Sequence, residues 1–265
     1  MGFASYDEDI QSRFFQATRI RNKEHDAMIK DTVGAQPAAT KLKAFTAPQP
    51  RPLPVIVLAD TSGSMAESGK IDALNLALRE MIQSFAKESR LRAEIQVGLI
   101  TFGGKEARQH LPLIAAHRIE GMQALQATGA TPMGAAFTLA CELLENKDLI
   151  PSRAYRPVVV LVSDGAPTDN WEAALEALKA SERGSKATRF SLAIGADADR
   201  EMLASFANDR EAPVFEAHEV RDIIRFFRAV TMSVVTRSSS ATPDQVVSLE
   251  LDAPLDDDDL DIDAL

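Results

Sequence analysis

The sequence has very little cysteine or histidine, and this argues against several kinds of site. Cys141 is the single cysteine among 265 residues, and there are four histidines. One cysteine excludes a disulfide framework and any cysteine-rich zinc or iron–sulfur site. The histidines lie far apart in the chain, and no two have the spacing that places ligands on one helix face, so a histidine-built zinc site is not expected either.

Long apolar runs and basic stripes are also missing. No stretch approaches the roughly 18 apolar residues that a membrane span needs. Residues 1–10 are polar and acidic, unlike a signal peptide. We therefore expect a cytoplasmic protein without a membrane segment. Because no basic stripe with interleaved aromatic residues occurs, nucleic-acid binding is not expected as the main activity.

The negative charge is concentrated at one end of the chain. The formal net charge is −10, but residues 250–265 contain eight acidic residues and no Lys or Arg, which leaves −2 for the other 249 residues. Two interpretations of this tail stay open. It is either a disordered, solubilising terminus, or a linear motif in which Leu260 and Ile262 contact a basic groove on a partner.

The composition divides the chain into three parts. Residues 1–53 are predicted to form an N-terminal extension that ends in a proline-rich linker. Residues 54–237 are predicted to form one folded domain. Residues 238–265 are predicted to be a disordered acidic tail.

Within the domain, strand and helix patterns alternate. The apolar runs at 53–59 and 157–162 are typical of strands that are buried on both faces. Residues 70–90 carry apolar side chains at spacings of three and four, which predicts an amphipathic helix. We therefore expect an α/β fold with a doubly wound, mostly parallel central sheet and helices on both faces. In such sheets, ligands bind outside the carboxyl ends of the strands.

The end of the first predicted strand carries a cluster of oxygen-bearing residues. Asp60, Ser62 and Ser64 occupy alternate positions directly after the strand. Hard oxygen ligands at this spacing suit Mg²⁺, which prefers octahedral oxygen coordination. A polar turn that caps the following helix explains the same residues equally well.

Two further loops bring oxygen-bearing residues to the same edge of the predicted sheet. Asp164 follows the strand at 157–162, and Thr131 lies just before an alanine-rich helix. Asp164 alone could be a turn residue, and Thr131 alone is most often a helix N-cap followed by Pro132. Three such loops at one edge are hard to explain as separate caps, so the metal-site interpretation gains support.

These residues resemble the metal-ion-dependent adhesion site of von Willebrand factor type A domains. The pattern Asp60-x-Ser62-x-Ser64, then Thr131, then Asp164 occurs in full and in order, and the resemblance covers residues 53–237. The amino-acid sequences of the three loops are most similar to those of the bacterial tellurium-resistance branch, the TerY-like proteins. At position 130 this chain has alanine, where that branch often has a second glycine.

The resemblance implies a binding site rather than a catalytic one. Ser62, Ser64 and Thr131 would supply hydroxyl ligands, and Asp60 and Asp164 would act through water. The cofactor implied is Mg²⁺, with Ca²⁺ or Mn²⁺ as alternatives. One coordination position would stay open for an acidic residue of a partner protein. No nucleophile or general base is evident, so the chain is not expected to be an enzyme.

The resemblance also implies a biological setting. A TerY-like protein would serve as a scaffold or adaptor in bacterial tellurite or stress response, or in phage defence, beside a PP2C-type phosphatase and a Ser/Thr kinase. One alternative is an adaptor of a MoxR-type AAA+ ATPase. A second is a Mg²⁺-dependent phosphohydrolase of the haloacid-dehalogenase type, although that class needs an aspartate where this chain has Ser62.

Several other residues are candidates for contact with a partner. Thr128 and Trp171 lie in or beside the loops at the sheet edge that carries the candidate metal ligands. Trp171 is equally suited to packing. Asp169 lies in the same region, but its spacing from Glu172 favours a capping box at the start of the helix. The acidic tail, with Leu260 and Ile262, suggests self-association in which its carboxylates occupy the open metal position of a neighbouring copy.

Overall fold

The computed structural model describes residues 50–88, 92–208, 214–245 and 249. The predicted N-terminal extension up to residue 49 lies outside the described residues. So do residues 250–265, including Leu260 and Ile262, and nothing in the structure bears on their predicted roles. Across the described ranges, no helix has the length and apolar content needed to cross a bilayer.

The core of the domain is a six-stranded sheet with the strand order β3-β2-β1-β4-β5-β6. Every neighbouring pair is parallel except β2 and β3, which form an antiparallel pair at one edge. The predicted doubly wound, mostly parallel sheet is therefore confirmed. The strands are β1 (Arg51–Asp60), β2 (Ala93–Gly103), β3 (Glu106–Ala115), β4 (Val158–Ser163), β5 (Thr188–Ile194) and β6 (Phe215–Ala217).

Helices cover both faces of this sheet, as predicted. Two helices, α1 and α5, pack with one face of the sheet in a single apolar cluster, and α2, α3 and α4 pack with the other face in a second cluster. The division follows from the strands, whose alternate apolar side chains point to opposite faces. The helices are α1 (Lys70–Lys87), α2 (Met133–Glu145), α3 (Trp171–Ala180), α4 (Arg200–Phe206) and α5 (Val220–Ser239).

The first strand begins earlier than the apolar run suggested. Its pairing with β2 starts at Arg51, whereas its pairing with β4 starts only at Val55. Pro52 accepts a hydrogen bond from the Tyr155 amide on the β4 side. The missing N–H groups of Pro52 and Pro54 therefore face a side where the ladder has not yet begun, and this is why the two prolines are tolerated in a central strand.

The domain also continues past the predicted end at residue 237. Helix α5 runs to Ser239, and Leu249 is buried in the first apolar cluster. The buried guanidinium of Arg237 holds this segment by donating to the carbonyls of Pro243 and Arg156. Asp244 accepts a hydrogen bond from the Arg156 amide. Residues 238–245 thus pack on the domain, whereas composition alone assigned them to the disordered tail.

The strand order of the sheet reverses at one point, between β1 and β4. Strands β1 and β4 are neighbours, but the chain leaves β1 toward β2 and returns through β4 toward β5. The strand order therefore reverses between β1 and β4, and a crevice opens at their carboxyl ends. Asp60 ends β1 and Asp164 directly follows β4, so both acids lie at this reversal point.

Candidate metal centre

Asp60 is a fully buried carboxylate at the end of β1. Its Oδ1 accepts a hydrogen bond of 2.7 Å from the Ser62 amide, and its Oδ2 accepts one of 2.6 Å from the Ser163 hydroxyl. Burial raises the pKa of Asp60 to about 6, since the hydrogen bonds from Ser163 and Ser62 only partly offset the loss of water and the charge of Asp164 adds to it. Asp60 thus has hydrogen-bond donors but no cation among the described residues.

A chain of hydrogen bonds joins the two serines to the second acid. The Ser62 and Ser64 hydroxyl oxygens lie 3.1 Å apart, and Ser64 donates to Asp164 Oδ1 at 2.7 Å. The other carboxylate oxygen, Asp164 Oδ2, receives the Lys70 ammonium at 2.8 Å. The Asp164 side chain is fully buried, whereas Ser64 lies at the surface. The structure therefore brings the predicted residues of the β1 and β4 loops together.

Thr131 stands beside this group on the loop before α2. Its backbone is fixed by Thr168, whose hydroxyl accepts from the Thr131 amide at 3.1 Å and whose amide donates to the Thr131 carbonyl at 3.0 Å. The Thr131 hydroxyl lies 3.9 Å from the point where a β-carbon on Gly165 would stand. The N-cap position of α2 is occupied by Pro132, one residue after Thr131. The helix-cap interpretation of Thr131 is therefore wrong, and its hydroxyl faces the residue next to Asp164.

The cap of α2 comes from Asp169. Its two carboxylate oxygens accept hydrogen bonds of 2.8 Å and 2.9 Å from the amides of Gly134 and Ala135. A carboxylate at this position satisfies two free N–H groups and complements the positive end of the helix dipole. The predicted capping box of Asp169 with Glu172 is absent, because Asn170 precedes α3 without a side-chain cap. The spacing in the sequence predicts a cap on α3, the helix that follows Asp169, whereas the carboxylate caps α2.

Backbone contacts hold the loops of this edge against each other. The Gly63 amide donates to the Gly129 carbonyl at 2.9 Å, and the Thr128 amide donates to the Thr61 carbonyl at 2.7 Å. Gly129 has a positive φ of 66°, and a β-carbon there would stand 2.5 Å from the Gly104 Cα. Only glycine fits this close approach. Thr128 thus contributes its backbone to the loop contacts, and its exposed side chain stays available at the rim.

Trp171 lies at the start of α3, next to the Asp169 loop. Its side chain is half-buried and packs against the second apolar cluster. The packing interpretation is therefore confirmed for part of the ring. Its predicted contact with a partner stays a prediction, as does that of Thr128.

Sequence reasoning missed two polar residues of the site. Ser163, the last residue of β4, donates to Asp60 and thereby links the ends of the two strands. Lys70, the first residue of α1, neutralises Asp164. A signal for Lys70 existed, because a lysine in the first turn of a helix stands where an acidic residue is favoured.

The chemistry of the donor set fits a hard divalent cation. The Ser62 and Ser64 hydroxyls lie with the Asp60 and Asp164 carboxylates in one hydrogen-bonded group, the Thr131 hydroxyl lies near Gly165, and all of these potential donor atoms are oxygen. In the part of the chain that the structure describes, no group of three or more His, Cys, Asp or Glu residues is placed to hold a metal ion. An added positive charge would stabilise Asp60, a buried carboxylate that has no cationic partner among the described residues.

Comparison with known proteins agrees with this architecture. A family model described as the von Willebrand factor type A domain matches residues 55–167. The comparison with curated proteins found no match to this sequence. Solved structures of several proteins share the fold at low identity.

Three of these structures illustrate the likeness. A von Willebrand factor type A protein from Catenulispora acidiphila has 20% identity and a TM-score of 0.54, covering 69% of this chain and 42% of its own. Proximal thread matrix protein 1 from the mussel byssus, with a zinc-occupied MIDAS motif, has 16% identity and a TM-score of 0.54, covering 69% and 48%. The pilus adhesin SpaC from Lactobacillus rhamnosus GG has 15% identity and a TM-score of 0.57, covering 72% and 32%.

The length and the sequence identity of these matches limit the conclusions that they support. This chain spans between a third and a half of the length of the three structures, and at these identities the likeness concerns the fold. The family match adds sequence evidence over the strands and loops that carry Asp60, Thr131 and Asp164. Residues 55–167 are therefore similar in sequence to the von Willebrand factor type A domain, and the solved structures share its fold.

Proposed function

We propose that this chain is a protein-binding module whose binding depends on a divalent cation. Asp60, Ser62, Ser64, Thr131 and Asp164 would hold the cation between the carboxyl ends of β1 and β4. When bound, the cation would supply a positive charge and a coordination position for a carboxylate of a partner protein. The observation that carries this proposal is Asp60, which is fully buried, has a raised pKa and forms no ion pair with any residue that the structure describes.

Binding is favoured over catalysis by the hydrogen bonds of the two serines. Their hydroxyls contact each other and Asp164, and no histidine among the described residues is bonded to either one. A serine nucleophile needs an adjacent base to accept its proton. Asp164 is paired with Lys70 and buried, so it is poorly placed to serve as that base.

Mg²⁺ is the cation that we propose, with Ca²⁺ and Mn²⁺ as alternatives. Hydroxyl-rich oxygen sites with few direct carboxylates suit Mg²⁺, because it retains several of its own waters. Zinc belongs in the test because a zinc ion occupies the corresponding motif in the mussel protein.

The similarity of the loop sequences to TerY-like proteins supports a more specific biological role. We propose an adaptor in bacterial tellurite or stress response, or in phage defence, that acts with a PP2C-type phosphatase and a Ser/Thr kinase. The acidic tail is proposed to compete for the open metal position of a second copy. Analytical ultracentrifugation of the full chain in Mg²⁺ and in EDTA reports that association.

Titration of the purified full chain with Mg²⁺, Mn²⁺, Ca²⁺ and Zn²⁺ by calorimetry tests the proposal. Thr131→Ala removes one hydroxyl ligand and should weaken cation binding roughly tenfold, the equivalent of about 1.5 kcal/mol for one bond to a charged group. Thr138→Ala is the matched control, because Thr138 is an exposed threonine on α2 whose hydroxyl donates to the Gly134 carbonyl of its own helix. This control should bind as the wild type does.

A pull-down from the native host, with and without EDTA, then tests the partner. Capture that depends on the cation and is lost with Thr131→Ala supports the proposal. Capture that is equally strong in EDTA, or a wild-type chain that binds none of the four cations, contradicts it.

A further inference from the structure

We propose that Lys70 tunes the metal site: by pairing with Asp164 it weakens cation binding to the chain alone and couples that binding to an acidic ligand. This inference rests on the proposed function and deepens it. Lys70 would act as a fixed internal cation at the site. Its role would be to couple the two binding events, so that the cation and the partner carboxylate each strengthen the binding of the other.

The contact on which this inference depends is short and sheltered. The Lys70 ammonium lies 2.8 Å from Asp164 Oδ2, with 19% of the lysine side chain and none of the aspartate side chain exposed. Ser64 occupies the other oxygen of the same carboxylate. Both oxygens of Asp164 are thus engaged, whereas the neighbouring acid Asp60 accepts hydrogen bonds from Ser62 and Ser163 and pairs with no Lys or Arg in the described ranges.

The position of Lys70 is not explained by the needs of its helix. Lys70 begins α1, and a cation at a helix N-terminus opposes the helix dipole. The chain reaches this position through two successive residues in the left-handed region, Ser68 with a φ of 55° and Gly69 with a φ of 70°. A non-glycine residue at positive φ is unfavourable. The backbone therefore adopts an uncommon conformation at the point where it delivers Lys70 to Asp164.

The charges at the site show what this pairing does. Asp60 and Asp164 together carry two negative charges when ionised, and Lys70 reduces the total to one. A divalent cation would then leave one positive charge at the site, whereas without Lys70 the site would be neutral. Repulsion from Lys70 weakens cation binding. The remaining positive charge attracts a carboxylate, and by linkage that carboxylate strengthens cation binding in return.

The test compares Mg²⁺ and Mn²⁺ binding to the full chain and to Lys70→Gln, by calorimetry at fixed ionic strength. The glutamine removes the charge but keeps an amide donor for Asp164. We expect the variant to bind either cation about tenfold more tightly or better. Lys87→Gln, at the exposed far end of the same helix, is the charge-matched control and should leave the affinity unchanged. Lys70→Arg keeps the charge and should resemble the wild type.

Acetate serves as the acidic probe for the coupling. Adding acetate should increase the cation affinity of the wild type by a larger factor than that of Lys70→Gln. Circular dichroism and the thermal shift on adding Mg²⁺ show whether the variant is folded and loaded; we expect a larger shift for Lys70→Gln than for the wild type.

The possible outcomes separate this inference from the proposed function. Equal or weaker cation binding by folded Lys70→Gln, or equal acetate coupling in both chains, overturns the role of Lys70 while the metal function stands. Failure of the wild type, Lys70→Gln and Lys70→Arg to bind any cation overturns both.

Discussion

The raised pKa of Asp60 predicts that the metal-free protein loses stability as the pH rises. Burial favours the protonated form in the folded state, where the pKa is about 6, against 3.8 for the unperturbed group. The folded state therefore binds more protons than the unfolded state between these two values. The stability due to protonated Asp60 is present at low pH and is lost as the pH rises through about 6.

The magnitude follows from the shift. At 1.36 kcal/mol per pKa unit, Asp60 changes the free energy of unfolding by roughly 3 kcal/mol in total. About 1.4 kcal/mol of this falls between about pH 5 and pH 7.5, a range that is convenient to measure. Glu145 and Glu216 have lowered pKa values and act in the opposite direction, because their contribution is lost as the pH falls. A reference variant must therefore isolate Asp60.

Asp60→Asn is that reference. The side-chain oxygen of asparagine can still accept from the Ser62 amide, and its amide can donate to Ser163, whose hydroxyl already lies 3.3 Å from the Gly165 carbonyl. Urea unfolding in EDTA, followed by circular dichroism, gives the free energy of unfolding of both proteins across this pH range. We expect the wild type to lose about 1.4 kcal/mol relative to the variant. Parallel pH profiles for the two proteins would refute the reasoning.

Substitutions away from the acids test the packing of the domain. Gly134→Ala places a β-carbon 2.8 Å from the Asn170 carbonyl oxygen and should lower the free energy of unfolding by roughly 1–3 kcal/mol, whereas Gly121→Ala meets nothing within 4 Å and should change it little. Thermal unfolding of the two variants decides between these outcomes. Arg237→Met leaves the Pro243 carbonyl without its buried donor and should cost roughly 2–4 kcal/mol in urea unfolding; an unchanged midpoint would contradict the anchoring role.

The sequence was sufficient to predict the centre of the sheet, because β1 and β4 contain continuous apolar runs. A strand covered on both faces needs apolar side chains at every position, and residues 53–59 and 157–162 have them. The same reasoning placed Asp60 and Asp164 at one edge, because parallel strands end together. The structure shows both acids there, joined through Ser62, Ser64 and Ser163.

Contacts between distant segments could not be predicted in the same way. Asp169 caps α2 from a loop 34 or 35 residues away, and Lys70 reaches Asp164 across 94 residues. Local rules on capping compare a residue with its own helix, so they assigned Asp169 to α3. The anchoring of residues 238–245 depends on the buried guanidinium of Arg237, which the composition of the segment does not reveal.

The two acids of the site are in different electrostatic conditions, and this difference bears on partner recognition. Asp164 is neutralised by Lys70, whereas Asp60 is not, so under the proposed function a divalent cation leaves one positive charge at the edge. One carboxylate is enough to balance that charge, and a second acid beside it would gain little. The charge alone would therefore not distinguish a partner's acidic residue from any of the eight acids in the chain's own residues 250–265. Under the proposed function, selectivity would come from contacts beside the cation, for which exposed Thr128 and half-buried Trp171 remain the predicted candidates.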